Sequence, residues 1–185
     1  MISIREFRAA LLTAIMICLW VSPAAAEESR GESDSRSKAA RSSAAWRANT
    51  GFIPGFALVL VVPPEGPLGG GAIVHGRYGI PAGPVVLAPG AQMGGFVVQR
   101  QFIGNLMGTF RVTLPFGPLA PYVKGGLGPG IITNPREVGL AWMGGGGLMI
   151  HFGRVFAFGA DASYQAITGT DFGMLTIGPA IRIGW

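Results

Sequence analysis

The last fifteen residues of the chain alternate between two kinds of side chain. Every second residue, read back from the end, is apolar, and the residues between them are small or polar. The apolar set is Trp185, Ile183, Ile181, Pro179, Ile177 and Leu175. Because successive side chains of a strand point to opposite faces, this pattern predicts a strand with one apolar face. Pro179 departs from the pattern, since proline cannot donate a ladder hydrogen bond.

This stretch resembles the closing strand of bacterial outer-membrane β-barrels, which ends on an aromatic residue preceded by alternate apolar residues. In that family the barrel assembly machinery recognises the segment. The resemblance therefore implies an assembly signal made of Ile181, Ile183 and Trp185. It also implies that outer-membrane lipid and, during biogenesis, the assembly machinery are the partners of this chain.

The first 26 residues have the pattern of a secretory signal peptide. Arg5 and Arg8 precede an apolar run of about 13 residues, and Ala24-Ala25-Ala26 forms a small-residue cleavage site. The run is shorter than the ~20 residues of a membrane-spanning helix, which argues against a retained anchor. The only cysteine, Cys18, lies within it. We therefore expect a mature protein without disulfides, thiolate metal sites or a cysteine nucleophile.

Residues 27–50 are rich in Ser, Arg, Ala and Glu, with Trp46 as the one large apolar side chain. Low hydrophobicity and mixed charge do not offset the entropy of ordering, so we expect a disordered periplasmic leader. The remaining residues, 51–185, form one domain that holds all but one of the 31 glycines and few charges. Sparse charge without an apolar run long enough for a helical span predicts a transmembrane β-barrel.

Turn residues divide this domain into eight segments, each near or above the ~9–11 residues that a tilted strand needs to cross a bilayer. The predicted strands are Pro54–Val62, Gly70–Gly79, Val85–Val98, Phe102–Leu114, Leu119–Ile132, Val138–His151, Val155–Gln165 and the closing strand after Asp171. Four of them, the second, fourth, sixth and seventh, alternate apolar and polar residues as a membrane barrel does. The first is apolar on both faces. In the third, Phe96 falls on the inward register, so we expect a bulge at Gly94-Gly95.

A second stretch, Pro121-Tyr122-Val123-Lys124-Gly125-Gly126-Leu127-Gly128, resembles the fifth strand of small OmpA-like, porin-family barrel domains. The resemblance implies an all-β fold, an eight-stranded antiparallel up-and-down barrel, here without a peptidoglycan-binding domain. An even strand count places both ends of the domain in the periplasm of a Gram-negative cell envelope. Aromatic residues near the strand ends then form two interfacial belts. These are Phe102, Trp142, Tyr164 and Phe172 outside and Phe110, Phe116, Phe152, Phe156 and Trp185 inside.

The opposite architecture is a soluble sandwich or lipocalin-like barrel, which would have charges outside and an apolar interior. The charged residues argue against it, because they share the polar register. With His75, they form a predicted lumen cluster: His75, Arg77, Arg111, Lys124, Asp161 and Arg182. An eight-stranded barrel is just wide enough for side chains to fill it. The cluster is therefore either a hydrogen-bonded plug, which we favour, or the lining of a narrow anion-favouring path.

No catalytic, cofactor or metal site is predicted. Ser163 is the only serine after residue 50, and we expect it near Trp142, more than ~20 Å along the strands from His151. His75 and His151 lie on different strands, which disfavours a metal site. The sequence thus favours a non-enzymatic barrel with a structural or interaction role. A narrow pore for small anionic or amphipathic solutes is the second hypothesis, and a lipid-modifying enzyme the third.

Overall fold

The protein is an eight-stranded closed antiparallel barrel with a short helix at one end. The computed structural model describes residues 44–133, 136–152, 156–170 and 172–183, without the side chains of Ala44, Arg182 and Ile183. The elements are α1 (Ala44–Ala48), β1 (Gly51–Val62), β2 (Gly69–Ala82), β3 (Val85–Val98), β4 (Gln101–Thr113), β5 (Leu119–Thr133), β6 (Arg136–Phe152), β7 (Phe156–Thr168) and β8 (Gly173–Ile183). The predicted fold class is confirmed. The predicted signal peptide, leader residues 27–43 and Trp185 lie outside the described residues.

Each strand pairs with its neighbours in chain order, and β8 returns to β1 to close the sheet. We call the end at which β1 begins and β8 ends the terminal end, and the opposite end the distal end. Every consecutive pair of strands is joined by at least nine residue pairs. The closing seam is different, because three pairs near the distal end join β1 to β8 in the described residues: Leu60–Ile177, Val61–Thr176 and Val62–Leu175.

Large apolar side chains are exposed on the outward face of all eight strands. Examples are Leu58 on β1, Met93 on β3, Leu106 on β4 and Leu127 on β5, each more than half exposed. Their chain neighbours on the other register are buried or partly buried, which is the alternation that the sequence predicts. A water-soluble protein rarely exposes so continuous an apolar surface, so the outer wall suits a hydrocarbon environment. In the described part of the chain, no helix has the length and apolar character needed to cross a membrane.

The distal half of the lumen is filled with apolar side chains. We call this set the distal apolar cluster: Val59, Val61, Ile73, Phe96, Val98, Ile103, Met107, Ile132, Ala141, Met143, Ile167 and Met174. The set includes Val59 and Val61 of β1, the strand for which sequence periodicity gave no face. Phe172, predicted to lie in the outer aromatic belt, instead packs against this cluster. The interior of the barrel is therefore apolar at one end and not uniformly polar.

Phe96 corrects the prediction for β3. The pairing of β3 with β2 and β4 runs without a shift through Gly94 and Gly95, so the expected bulge is absent. Phe96 points inward and is fully buried. Its ring occupies space that glycines leave open, since a Cβ on Gly94 would lie 2.7 Å from the ring, and one on Gly71 would also overlap it. The inward aromatic is thus accommodated by neighbouring glycines and not by re-phasing of the strand.

The helix α1 differs from the disordered leader expected for residues 27–50. Ala45, Trp46 and Ala48 are buried. Ala45 packs against inward-facing residues of β5, β6 and β7 in a second cluster with Ala120, Tyr122, Met149 and Ala157. Asn49 follows the helix and approaches His151 of β6, with Nδ2 and Nε2 3.1 Å apart. The helix therefore covers the lumen from the terminal end.

Candidate functional site: the charged middle of the lumen

Between the distal apolar cluster and α1 lies a layer of charged and polar side chains. The structure brings five of the six predicted cluster residues together around one cavity of about 70 Å³: His75, Arg77, Arg111, Lys124 and Asp161. The backbone of Arg182 pairs with Ala157 on β7, and its side chain lies outside the described part. A single water needs about 10–15 Å³, so the cavity has room for several waters or a small polar group.

The centre of the site is the carboxylate of Asp161. Its Oδ1 accepts a bond from Lys124 Nζ at 2.8 Å, which is an ion pair, and another from Ser163 Oγ at 3.0 Å. Its Oδ2 accepts a bond from Tyr122 Oη at 2.5 Å. One carboxylate therefore joins three donors from two strands, which is how a charge in a barrel lumen is stabilised away from bulk water.

Glycines on β6 make this arrangement possible. In the ladder, Gly147 lies between Tyr122 on β5 and Asp161 on β7, and Gly145 lies between Lys124 and Ser163. A Cβ on Gly147 would lie 2.6 Å from Tyr122 Oη. A Cβ on Gly145 would lie 2.6 Å from Ser163 Oγ. With no side chain on β6 at these two positions, the donors on β5 reach across the strand to the acceptor on β7.

The guanidinium of Arg111 stacks on the ring of Tyr122, with Cζ 3.2 Å from the ring centroid. Arg111 and Lys124 are also direct cross-strand neighbours on β4 and β5. Like charges at paired positions repel one another. The cation–π contact and the Asp161 carboxylate offset that repulsion. Tyr122 contacts Arg111 by its ring face and donates its hydroxyl to the carboxylate that pairs with Lys124.

The site carries excess positive charge. Arg77, Arg111 and Lys124 supply three cations, and Asp161 supplies the one carboxylate among the described residues that line the cavity. The other described carboxylates, Glu65 and Glu137, lie in the β1–β2 loop and near the distal end of β6. With neutral histidine, the described lumen thus has three positive charges against one negative charge. Such a cavity favours an anionic group.

A polar layer connects the charged site to the distal apolar cluster. Asn105 Nδ2 donates to Gln165 Oε1 at 2.9 Å, and Gln165 lies 3.4 Å from Thr176 Oγ1. Thr176 donates in turn to the backbone oxygen of Ser163 at 3.0 Å. Gln92 approaches the sulfur of Met143 at 3.3 Å. These amide and hydroxyl contacts tie β3, β4, β6, β7 and β8 together across the interior.

The two residues considered for catalysis lie in different surroundings. Ser163 pairs with Gly145, three positions from the predicted Trp142, and its hydroxyl donates to Asp161. His151 pairs with Ala157 near the terminal end and contacts Asn49. Ser163 lies six positions along β7 from Ala157, which corresponds to about 20 Å. In the part of the chain that the structure describes, no three His, Cys, Asp or Glu side chains are grouped to hold a metal ion.

The roles of Tyr122, Gly145 and Gly147 were not predicted from the sequence. The sequence does contain inward-facing glycines on β6 and polar inward-facing residues on the neighbouring strands β5 and β7. Recognising that these residues lie side by side requires the pairing register of neighbouring strands. That register is set by the turns and cannot be read from any one strand.

Comparison with solved structures identifies the architecture. The chain is similar to PagL, described as an outer membrane enzyme, with 12% identity and a TM-score of 0.56 over 71% of this chain and 99% of that chain. It is similar to neisserial surface protein A, with 10% identity and a TM-score of 0.55 over 72% and 96% of the two chains. The fold is that of a small outer-membrane β-barrel.

A third structure, the attachment invasion locus protein Ail of Yersinia pestis, has 15% identity and a TM-score of 0.48 over 72% of this chain and 99% of that chain. No protein-family model and no curated protein sequence matches the chain. At such low sequence identities, structural similarity shows the fold alone. The activity of this chain has to be inferred from its own residues.

Proposed function

We propose that this chain is a non-enzymatic outer-membrane β-barrel protein of a Gram-negative bacterium, with a structural or interaction role in the cell envelope. Its N-terminal leader and C-terminus lie in the periplasm. Its partners are outer-membrane lipid and, during biogenesis, the barrel assembly machinery. No cofactor takes part. The apolar outer wall on all eight strands supports the membrane location.

The filled lumen is the observation that supports a structural or interaction role and argues against ion conduction. The distal apolar cluster contains Phe96, Ile103 and Met107, each at most 1% exposed. At the terminal end α1 packs against the inner wall. Between them, the Lys124–Asp161 ion pair spans β5 to β7. A hydrated ion would have to cross an apolar layer, which is unfavourable because its hydration has no replacement there.

The surroundings of Ser163 support the non-enzymatic role. A serine nucleophile needs a base within hydrogen-bond reach of its hydroxyl. The hydroxyl of Ser163 instead donates to Asp161, which is already paired with Lys124. Because that carboxylate is neutralised by an ammonium group and two hydroxyl donors, it is a weak base.

A narrow path for small anionic or amphipathic solutes is the second candidate. The excess positive charge of the lumen cavity favours it, because cations that line a pore select anions. The two candidates differ in one measurable property, which is whether the folded barrel passes ions.

Planar-bilayer conductance of the folded protein tests the proposal. We expect no stable current steps from the wild-type protein. The triple variant Phe96→Ala, Met107→Ala, Met143→Ala empties much of the distal apolar cluster and is expected to give intermittent steps. Stable, salt-dependent steps from the wild type would favour the pore. Cell fractionation tests the location separately, and recovery with soluble periplasmic proteins would overturn it.

A further inference from the structure

The closing seam of the barrel is open toward the terminal end. Among the described residues, the pairing of β1 with β8 ends at Leu60 and Ile177. The strands still approach one residue further on, where a Cβ on Gly178 would lie 2.6 Å from the Leu58 backbone oxygen. Beyond that point both strands continue, since Gly51–Val59 remains paired with β2 and Pro179–Ile183 with β7. The two edges are therefore unpaired with each other from Pro179 onward in the described residues.

Along these unpaired edges lies a groove of about 570 Å³ on the outer wall of the barrel. Its lining is mostly apolar and includes Pro54, Phe56, Leu58, Val74, Pro179 and Ile181. The volume falls within the ~300–1,000 Å³ of typical small-molecule sites. Because this wall faces hydrocarbon in the proposed location, the groove opens into the apolar part of the bilayer.

The groove borders the charged middle of the lumen. His75, Gly55 and Pro179 are among the residues that line both the groove and the lumen cavity. At this boundary the imidazole ring of His75 occupies the space that a side chain at position 55 would take, since a Cβ on Gly55 would overlap the ring. An apolar groove that opens to lipid is thus separated by His75 from a cavity lined by three cations and one carboxylate.

The occupant of such a site needs an apolar tail and an anionic head. An added β-strand is disfavoured, because Pro54 and Pro179 lie at the two open edges and proline contributes no N–H to a ladder. An alkyl chain requires no hydrogen bonds and suits the apolar lining. The charge excess in the lumen is complementary to a carboxylate.

We propose that the groove between β1 and β8 binds a fatty acid from the surrounding bilayer, with its alkyl chain between the strand edges and its carboxylate directed past His75 toward the lumen cations. The site rests on the proposed membrane location of the barrel. It does not require conduction, because the distal apolar cluster closes the route beyond it.

Photo-crosslinking with the folded protein in phosphatidylcholine nanodiscs tests this site. The probes are a palmitate with a diazirine in its chain and a matched probe in which a quaternary ammonium replaces the carboxylate. Mass spectrometry locates the adducts. We expect the carboxylate probe to label residues 56–58, Val74 and Ile181 at least tenfold more than the cationic probe does, with competition by laurate. Equal labelling by both probes, or labelling spread around the whole outer wall, would overturn the proposal.

A pair of glycine variants tests the boundary at His75 between the groove and the lumen. Gly55→Val places a side chain in the space of the His75 ring and is expected to lower groove labelling at least tenfold. Gly144→Val on β6 is the control, because a Cβ there meets no atom within 4 Å, and its labelling is expected to equal that of the wild type. Unchanged labelling of folded Gly55→Val would contradict the proposal. If that variant does not fold, judged by its heat-dependent gel mobility, the two-probe comparison on the wild type still decides. Fractionation and conductance use no probe, so their failure is separate from failure of this site.

Discussion

A Cβ built on Gly147 would lie 2.6 Å from the hydroxyl oxygen of Tyr122. The same added atom would also overlap the backbone oxygen of Ala160. We expect Gly147→Ala to push Tyr122 away from Asp161 and to lower the free energy of unfolding by about 1–3 kcal/mol, in the range of overpacked sites. Gly144→Ala is the matched control, with open space at its Cβ, and should be neutral or up to about 1 kcal/mol stabilising. Urea titration from lipid vesicles measures both, and equal effects would contradict the crossing of β6 by Tyr122.

The second prediction concerns the carboxylate that joins the three donors. Asp161→Asn leaves Arg77, Arg111 and Lys124 facing the cavity without the negative charge, and the Asp161 side chain is only 14% exposed. We expect a loss of unfolding free energy on the order of 3 kcal/mol, as for other broken buried pairs. The control Glu137→Gln, near the distal end of β6, should change stability by less than about 0.5 kcal/mol.

Lys124→Met separates the ion pair from the rest of the network. Asp161 keeps its bonds from Tyr122 and Ser163 in this variant, so the loss should be smaller than in Asp161→Asn. A larger loss for Lys124→Met would mean that the ammonium group, and not the carboxylate, is the centre of the site. The same urea titrations provide the comparison.

The faces of the strands could be predicted because a strand has a period of two and the outer wall is apolar. Arg111 and Thr113 on β4, and Asp161 and Ser163 on β7, alternate with Phe110, Val112, Ala160 and Ala162 in the sequence. The first set is inward and the second lies on the outer register in the structure. The inward and outward faces of each strand can therefore be predicted from the sequence of that strand alone.

Contacts between strands could not be predicted in the same way. Ser163 was expected near Trp142, but it pairs with Gly145. In an antiparallel pair, moving the centre of the turn by one residue moves every partner by two, so small errors in turn placement change all cross-strand contacts. The opening of the β1–β8 seam depends on the same stagger at the one junction that no turn connects.

The third prediction tests the depth of the outer wall. Leu106 lies near the middle of β4 and is 55% exposed, and Phe158 lies near the terminal end of β7. An arginine at the bilayer midplane costs about 2–4 kcal/mol, and one near the interface about 0–1 kcal/mol. We therefore expect Leu106→Arg to destabilise the barrel more than Phe158→Arg in reversible unfolding from lipid. Thr109→Arg, which lines the lumen cavity, is the comparison on the inner face.

The turn between β3 and β4 supports a stabilising substitution. Gln99 and Arg100 both have positive φ, 52° and 66°, in a two-residue hairpin connection. A residue with a Cβ is strained in this region by about 1–2 kcal/mol, whereas glycine is not. We expect Arg100→Gly to raise the unfolding free energy by about 1 kcal/mol. Gln99→Gly is the instructive control: it relieves the same strain but removes the bond from Gln99 Nε2 to the Glu65 backbone oxygen, so its net effect should be smaller.

The last prediction concerns the end of the chain, where Trp185 lies outside the described residues. If Trp185 acts with Ile181 and Ile183 as the signal for barrel assembly, its deletion removes the recognised residue and leaves the β7–β8 ladder intact from Phe156–Ile183 onward. Stability of the refolded protein should fall by about 1.5–3 kcal/mol, the value for burying one aromatic side chain. Delivery to the outer membrane in cells should fall much more, because assembly depends on recognition and not on final stability. Adding a hydrophilic tag after Trp185 should also impair delivery, since the aromatic is then no longer terminal. Membrane fractionation measures delivery in each case, and normal outer-membrane levels of the deletion would refute the signal role.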